Sequence, residues 1–476
     1  MGLVIATRFV EGCRHGAHPE SSMQRIALFA FLSLAACGSK NPVGDDEADA
    51  GFIPDACVGL ECQVVDCAIA QKPPTTFTGR VFAPNGTLPL YGINVYVPRS
   101  DPGPFTEGAI CDKCSSSLPG NPLVQTVTDE NGNFRLENVP AGDNVPLIVT
   151  TGKWRRKLTI AKVASCQDTA LPEADTRLPK TKAEGDIPKI AITTGDADSL
   201  ECLVRKLGID DSEISNGTGA GRIHLYRGDG VQNFKAGFPG GGGAISSAIP
   251  FWSTVDNLKA YDIVFLSCEG SHRPADKPQV ALDAMKAYAD LGGRVFASHW
   301  HNIWIGGNFQ NQGANPTLAP PVWKDLARWR PDDSVLPTSP IVIDEVSNPK
   351  GDSFATWMLN VGGSTVRDEI TVVNGRATTV TLDTTRAERW VATRANDPRS
   401  PNTAQIFQFT TPNEDIVDNR CGKVVFSDMH VTGTSNINNP YPQSCPGGEN
   451  ALDMSPQEKA LAFMFFDIAS CVGGVF

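Results

Sequence analysis

The period of the hydrophobic residues changes near position 186, and that change restricts the fold more than any single motif does. Upstream, between 75 and 165, apolar residues come in short alternating runs. Residues 76–82 are rich in β-formers, Ile93-Asn94-Val95-Tyr96-Val97 alternates strictly, and Pro84-Asn85-Gly86 between them is a turn. Thr126-Val127-Thr128 runs into the polar turn 129–133, and Phe134-Arg135-Leu136 leaves it as a partner strand. Leu147-Ile148-Val149 and Lys157-Leu158-Thr159-Ile160 add two more strands, so this region reads as a β-sandwich. Downstream the runs are longer and unbroken. Lys189-Ile190-Ala191-Ile192-Thr193-Thr194 is a buried strand. Asp198, with Glu201 three residues on, is an N-cap for a helix carrying Leu200, Leu203, Val204 and Leu207, and Gly208 ends it. A second strand covers 261–268, a helix covers 277–291 with Gly292-Gly293 as its stop, and a third strand covers 294–298. Strand and helix alternating over short loops predict a doubly wound parallel sheet.

The fold class is therefore α/β plus all-β, an N-terminal β-sandwich and a C-terminal doubly wound domain. Lys423-Val424-Val425-Phe426-Ser427-Asp428 is another buried strand, and Ser455-Pro456-Gln457-Glu458 is a capping box opening a long apolar helix. Residues 340–410 read as a β-rich insertion, with strands at 340–346 and 404–409. The chain has 476 residues and is 41% hydrophobic, enough for two or three cores. Its net charge of −12 argues against nucleic acid or an acidic surface as the main partner.

The N-terminal region divides differently. Met23-Gln24-Arg25 is a short positive start, residues 26–34 are an apolar run too short to span a membrane, and Leu34-Ala35-Ala36-Cys37 closes the segment. That tetrapeptide resembles the lipobox of bacterial lipoproteins, which implies lipidation of Cys37 and a membrane partner through the lipid anchor. Gly38 after the cysteine implies an outer-membrane lipoprotein of the cell envelope. Residues 1–22 read as an upstream extension, 23–37 as the signal, and 38–74 as an acidic tether with a small disulfide knot at Cys57, Cys62 and Cys67. The sandwich then takes 75–165, a linker 166–185, and the α/β domain 186–476. Of 13 cysteines, Cys13 and Cys37 fall outside the mature body, and the odd remainder leaves at least one thiol unpaired. Cys111 and Cys114 lie in a Ser/Pro/Gly-rich loop, which points to structural disulfides rather than a redox pair.

Gly79-Arg80-Val81, Thr128, Gly132, Phe134-x-Leu136 and Val139-Pro140-x-Gly142 resemble the carboxypeptidase regulatory-like family, a transthyretin-type sandwich. The resemblance implies a fold and an accessory role. Tyr261-Asp262-Ile263-Val264-Phe265-Leu266 and Gly292-Gly293-Arg294-Val295-Phe296 resemble class I glutamine-amidotransferase-like proteins, and residues 424–430 resemble that fold's strand ending in a histidine. The cysteine elbow of those proteins is replaced here by Ala297-Ser298-His299. Along its length the chain is similar to a group of bacterial lipoproteins, some labelled tryptophan synthase alpha chain. That activity needs an eightfold βα barrel, which this pattern does not provide.

In a doubly wound sheet, ligands bind beyond the carboxyl ends of the strands. Three such ends carry reactive side chains: Ser267-Cys268-Glu269, Ser298-His299-Trp300-His301 and Asp428-Met429-His430. Three functions fit them. The first is a non-catalytic binding or structural module for a carbohydrate or an envelope protein, with Glu269, Trp300, His301 and Asp428 as ligand contacts. The second is a hydrolase with Cys268 as nucleophile and His299 or His430 as base. The third is a metal-dependent hydrolase, in which His299 or His301 would join Asp428 or His430 and Glu269; two histidines two apart on an extended segment point to opposite sides. No motif requires a cofactor, and no metal ligand set stands out. Pro239-Gly240-Gly241-Gly242-Gly243 lacks the Lys-Ser/Thr of a phosphate-binding loop. Lys153-Trp154-Arg155-Arg156-Lys157 is either a basic-aromatic binding patch or a charged edge strand.

Overall fold

The computed structural model describes residues 57, 59–309, 320, 322–430 and 433–473. The upstream extension, the signal with Cys37 and most of the tether lie outside these residues. Seven strands follow in chain order: β1 (Thr76–Arg80), β2 (Asn94–Pro98), β3 (Pro122–Val127), β4 (Asn133–Glu137), β5 (Gly142–Thr151), β6 (Trp154–Val163) and β7 (Asp168–Ala170). They form two sheets, ordered β4-β1-β7 and β3-β2-β5-β6. Phe77, Val95, Val97, Phe134, Leu136, Leu147 and Val149 fill the space between them, as their alternation requires. The turn before β4 is built as its sequence demands. The Asp129 carboxylate accepts from the backbone N–H groups of Asn131 and Asn133, and Gly132 takes φ 76° with no room for a Cβ.

Residues 166–185 are not a linker. β7 pairs parallel to β1, a short helix α1 (Glu173–Thr176) follows it, and Cys166 is bonded to Cys67. The expected local knot is thus half right: Cys57 pairs with Cys62, while Cys67 staples the tether's end to the sandwich.

The second layer contains β8 (Ile190–Thr194), α2 (Leu200–Lys206), β9 (Ile214–Asn216), β10 (Ile223–Arg227), a hairpin of β11 (Asn233–Phe234) and β12 (Gly243–Ala244), α3 (Ala248–Trp252), α4 (Val255–Leu258), β13 (Ile263–Leu266), α5 (Gln279–Asp290), β14 (Arg294–Ser298) and α6 (Ile303–Gly306). Then come β15 (Ala327–Trp329), β16 (Ile341–Ile343), α7 (Gly351–Asn360), β17 (Glu369–Ile370), β18 (Thr379–Leu382), β19 (Glu388–Ala392), β20 (Ala404–Thr411), β21 (Gly422–Ser427) and α8 (Pro456–Ala469). Ten strands make one sheet, ordered β17-β16-β19-β20-β21-β14-β13-β8-β10-β9. From β9 to β21 neighbours run parallel, and from β21 to β17 they run antiparallel. The sheet is therefore mixed rather than parallel throughout. Residues 340–410 are not an insertion: β16, β17, β19 and β20 extend the main sheet, and helix α7 lies among them.

Apolar side chains cover both faces of the sheet. Met285 and Tyr288 of α5 pack with Val264, Val295 and Phe426 on one side. Leu203 and Val204 of α2 and Phe463 and Phe465 of α8 join Ile192, Phe265 and Phe296 on the other, in a cluster that continues into the sandwich core. The capping box at Ser455 is formed, and the same Glu458 carboxylate takes Lys206 Nζ at 2.7 and 2.9 Å, tying α2 to α8. The expected cap at Asp198 is absent. Ser199 holds the N-cap position of α2, and Asp198 instead accepts from Ser298 Oγ at 2.7 Å.

The basic segment 153–157 runs into β6, an edge strand of its sheet, with Lys157 exposed and the centre of the segment buried. Trp154 is buried against Phe465 and Phe466 of α8. Arg155 is buried, pairs with Asp186 at 2.7 Å and stacks on Phe105, and Lys153 pairs with Asp262. The segment joins the sandwich to the α/β layer. No helix among the described residues is long and apolar enough to cross a membrane.

Candidate functional site

The chain leaves β8 toward β10 and β9 on one side and later builds β13, β14 and β21 on the other, so the topology switches between β8 and β13. A crevice beyond the carboxyl ends opens at such a point. Gly195, directly after β8, crosses so close to the Cys268 carbonyl that a Cβ would sit 2.2 Å from its oxygen. Cys268 follows β13, His299 follows β14 and His430 follows β21, and these three strands are adjacent and parallel.

Their side chains meet. Cys268 Sγ lies 3.5 Å from His299 Nδ1, and His299 Nδ1 lies 3.0 Å from His430 Nε2. One donor atom from each residue falls within 4.8 Å of the other two, and all three residues are buried. His299 occupies the strained turn between β14 and the following 3-10 turn, with φ 43°, a conformation costly for any residue with a Cβ. The His430 loop is held by Gln457 Nε2 donating to the His430 carbonyl, by Ser199 Oγ on the Gly433 carbonyl and by the Cys202–Cys445 disulfide.

The centre is neutral at rest. Burial pushes the Cys268 thiol up to about 12, against the pull of the Trp300 and Gly270 backbone N–H groups. Burial, and then the neighbouring His430, hold His299 well below the ordinary imidazole range. Burial lowers His430 as well, opposed by Asp198. His299 Nε2 is buried with no hydrogen-bond partner among the described residues. Five disulfides use ten cysteines, and Cys268 is the free one among the described residues, in keeping with the odd count.

Of the other expected site residues, His301, Glu269 and Asp428 stand apart from this trio and Trp300 borders it. His301 and His299 do diverge, though by a tight turn rather than an extended strand: His301 Nε2 bonds the Ser267 carbonyl at 2.7 Å and its Nδ1 accepts from Trp304 at 2.8 Å. Both nitrogens are thus used by the fold. Glu269 is not a ligand of the centre but the buried partner of Lys277. Asp428 is held by the Thr378 hydroxyl and the Thr379 N–H, and burial raises it to about 6. Trp300 packs beside His299 with ring centroids 4.7 Å apart and walls the centre with Phe309. His272 and His224 are bonded to Asn302 and Tyr261, and burial lowers each to about 4. Sequence reasoning gave Asp198 only a capping role and did not pair it with Ser298, whose hydroxyl donates to it at 2.7 Å beside the trio. Asp196 and Asp198 directly after a buried strand were the available signal, because a capping pattern and a strand-end carboxylate look alike in one dimension.

A large cavity lies elsewhere. A cleft of about 1310 Å³ between sandwich and sheet is lined by Tyr91, Lys350, Trp357, Lys423, Phe466 and Asp467. Lys423 opens β21 and His430 lies beyond its far end, so the cleft is at the amino ends of the strands.

No protein-family model and no curated protein matches this sequence. Solved structures that resemble it include a ThuA-like protein from Bacteroides uniformis, at TM-score 0.31 and 10% identity over 58% of this chain and 88% of that one. A type II cohesin–X-dockerin complex from Acetivibrio cellulolyticus matches at TM-score 0.15 and 15% identity over 31% of this chain and 78% of that one. The assignment of an α/β domain and a β-sandwich rests on the strand order itself.

Proposed function

We propose that this protein is a lipid-anchored hydrolase of the cell envelope, acting at Cys268, His299 and His430, with the β-sandwich as an accessory module. The observation that carries this reading is the convergence of those three side chains from the ends of three adjacent strands beside the topological switch. A nucleophile and its base must come within hydrogen-bond reach, and the sulfur and imidazole here do. Neutral groups alone are poor catalysts, however, so the reading requires something that stabilises negative charge at this point.

The test uses the full chain and a panel of chromogenic esters, amides and glycosides. Activity should fall by roughly 100-fold or more in Cys268→Ala and in His430→Ala, with melting temperature measured alongside. A panel that no form of the protein hydrolyses would leave the binding reading, which draws on the amino-end cleft and expects a carbohydrate or envelope protein there. The anchor has its own test: palmitate should label the wild type and not Cys37→Ala.

A further inference from the structure

We infer that Cys268 Sγ, His299 Nδ1 and His430 Nε2 bind one zinc ion and leave a fourth coordination position open. This rests on the reading of the same trio as the reactive centre, and it supplies the activation that a neutral centre lacks.

The geometry comes first. Zinc at about 2.0–2.1 Å from nitrogen and 2.3 Å from sulfur, in tetrahedral array, spaces its ligand atoms roughly 3.3–3.6 Å apart. The two distances resolved here are 3.5 and 3.0 Å, and the third pair lies within 4.8 Å. The donors hang on the ends of strands in the middle of a ten-stranded sheet, so they are held as a rigid set. Their chemistry fits as well: a thiol and two imidazoles are the borderline-soft donors zinc selects, and no carboxylate competes within the trio. His301 spends both ring nitrogens on the fold, whereas His299 turns Nδ1 to two potential co-ligands.

Binding would release the Cys268 proton to solvent and leave a thiolate, with no change of oxidation state. Zinc and thiolate carry one net positive charge together, and the Asp198 carboxylate acts on both Cys268 and His430. A blue-copper site would need an axial thioether, but Met429 packs in the main core, separate from the small cluster around Cys268. With three protein ligands, the fourth position holds water whose pKa zinc lowers to about 7. Cys268 is then a ligand, and the nucleophile is zinc-bound hydroxide.

The experiment takes the full chain, freed of metal by a chelator, and titrates it with zinc and with cobalt alone. One ion per chain should bind, cobalt should give a thiolate charge-transfer absorption, and zinc should raise the melting temperature. Cys268→Ser should abolish the absorption, and it and His430→Ala should each weaken binding at least roughly tenfold. A folded wild type that takes up neither ion overturns the site, as does binding unchanged in both variants. Preference for copper with an intense visible band overturns the zinc assignment. Zinc uptake without hydrolysis would keep the site and remove the proposed hydrolase; hydrolysis that persists in the metal-free protein would keep the hydrolase and overturn zinc-bound hydroxide as its nucleophile.

Discussion

Several buried side chains hold their protons against their ordinary pKa, and this makes pH a probe of single residues. Glu201 is fully enclosed on α2 with a 3.5 Å contact from Ser267 Oγ, and burial lifts it from 4.5 to about 8. The folded carboxyl keeps its proton where the unfolded one releases it. Its contribution to stability is therefore complete below about pH 4.5 and is lost as pH rises to about 8. Glu201→Gln should gain on the wild type steadily across that window, by on the order of a few kcal/mol at pH 8. A stability difference that stays flat with pH would show an ionised Glu201 in the folded protein. His272 has the opposite sign. Its folded value near 4 against 6.5 means that protons favour the unfolded chain, so stability attributable to it is present above pH 6.5 and drains as pH falls toward 4. His272→Gln should flatten that acid limb in a urea titration series. Cys268, His299 and His430 were readable as strand-end residues. Glu269, His301 and Asp428 were equally readable and proved to be satisfied by Lys277, by Ser267 with Trp304, and by two threonines; all of these partners but Trp304 lie 8 to 50 residues away, where one-dimensional reading does not pair them.

At the scale of elements, α8 shows how one residue can serve two roles. Ser455 caps the helix, and Ser455→Ala should cost about 1 kcal/mol. Glu458 completes the capping box and also neutralises buried Lys206. Glu458→Gln should therefore cost more, about 3–5 kcal/mol, since it leaves a buried ammonium without its counter-charge. Equal costs in denaturant melts would mean that the Lys206 pair adds nothing. The cap was legible because all four residues of its signature are contiguous. The Lys206 partner was not, because 252 residues separate the two. β6 follows the same rule: its basic run was visible, but Asp186 and Asp262, which decide its role, belong to the other layer.

The whole molecule is closed by disulfides that span it. Cys111–Cys421 and Cys114–Cys471 bracket 310 and 357 residues and pin the loop before β3 to the amino edge of the main sheet. Either bond alone keeps the large loop closed, so removing one restores little chain entropy and removing both restores much more. The double Cys→Ala pair should lose about 1–2 kcal/mol beyond the sum of the two single losses. Simple additivity would mean that the two closures act on independent parts of the unfolded chain.

What the sequence determined alone is local: the sandwich strands with their 129–133 turn, the α/β alternation from Asp186, the cap at Ser455, and the odd cysteine. Each depends on period, turn chemistry or parity, which neighbours in the chain carry between them. Tertiary structure alone decided that 166–185 belongs to the sandwich, that 340–410 extends the main sheet, and that Cys268, His299 and His430 share one point while Glu269, His301 and Asp428 do not. Strand order and pairing across hundreds of residues set those outcomes, and hydrophobic period does not encode which strand lies beside which.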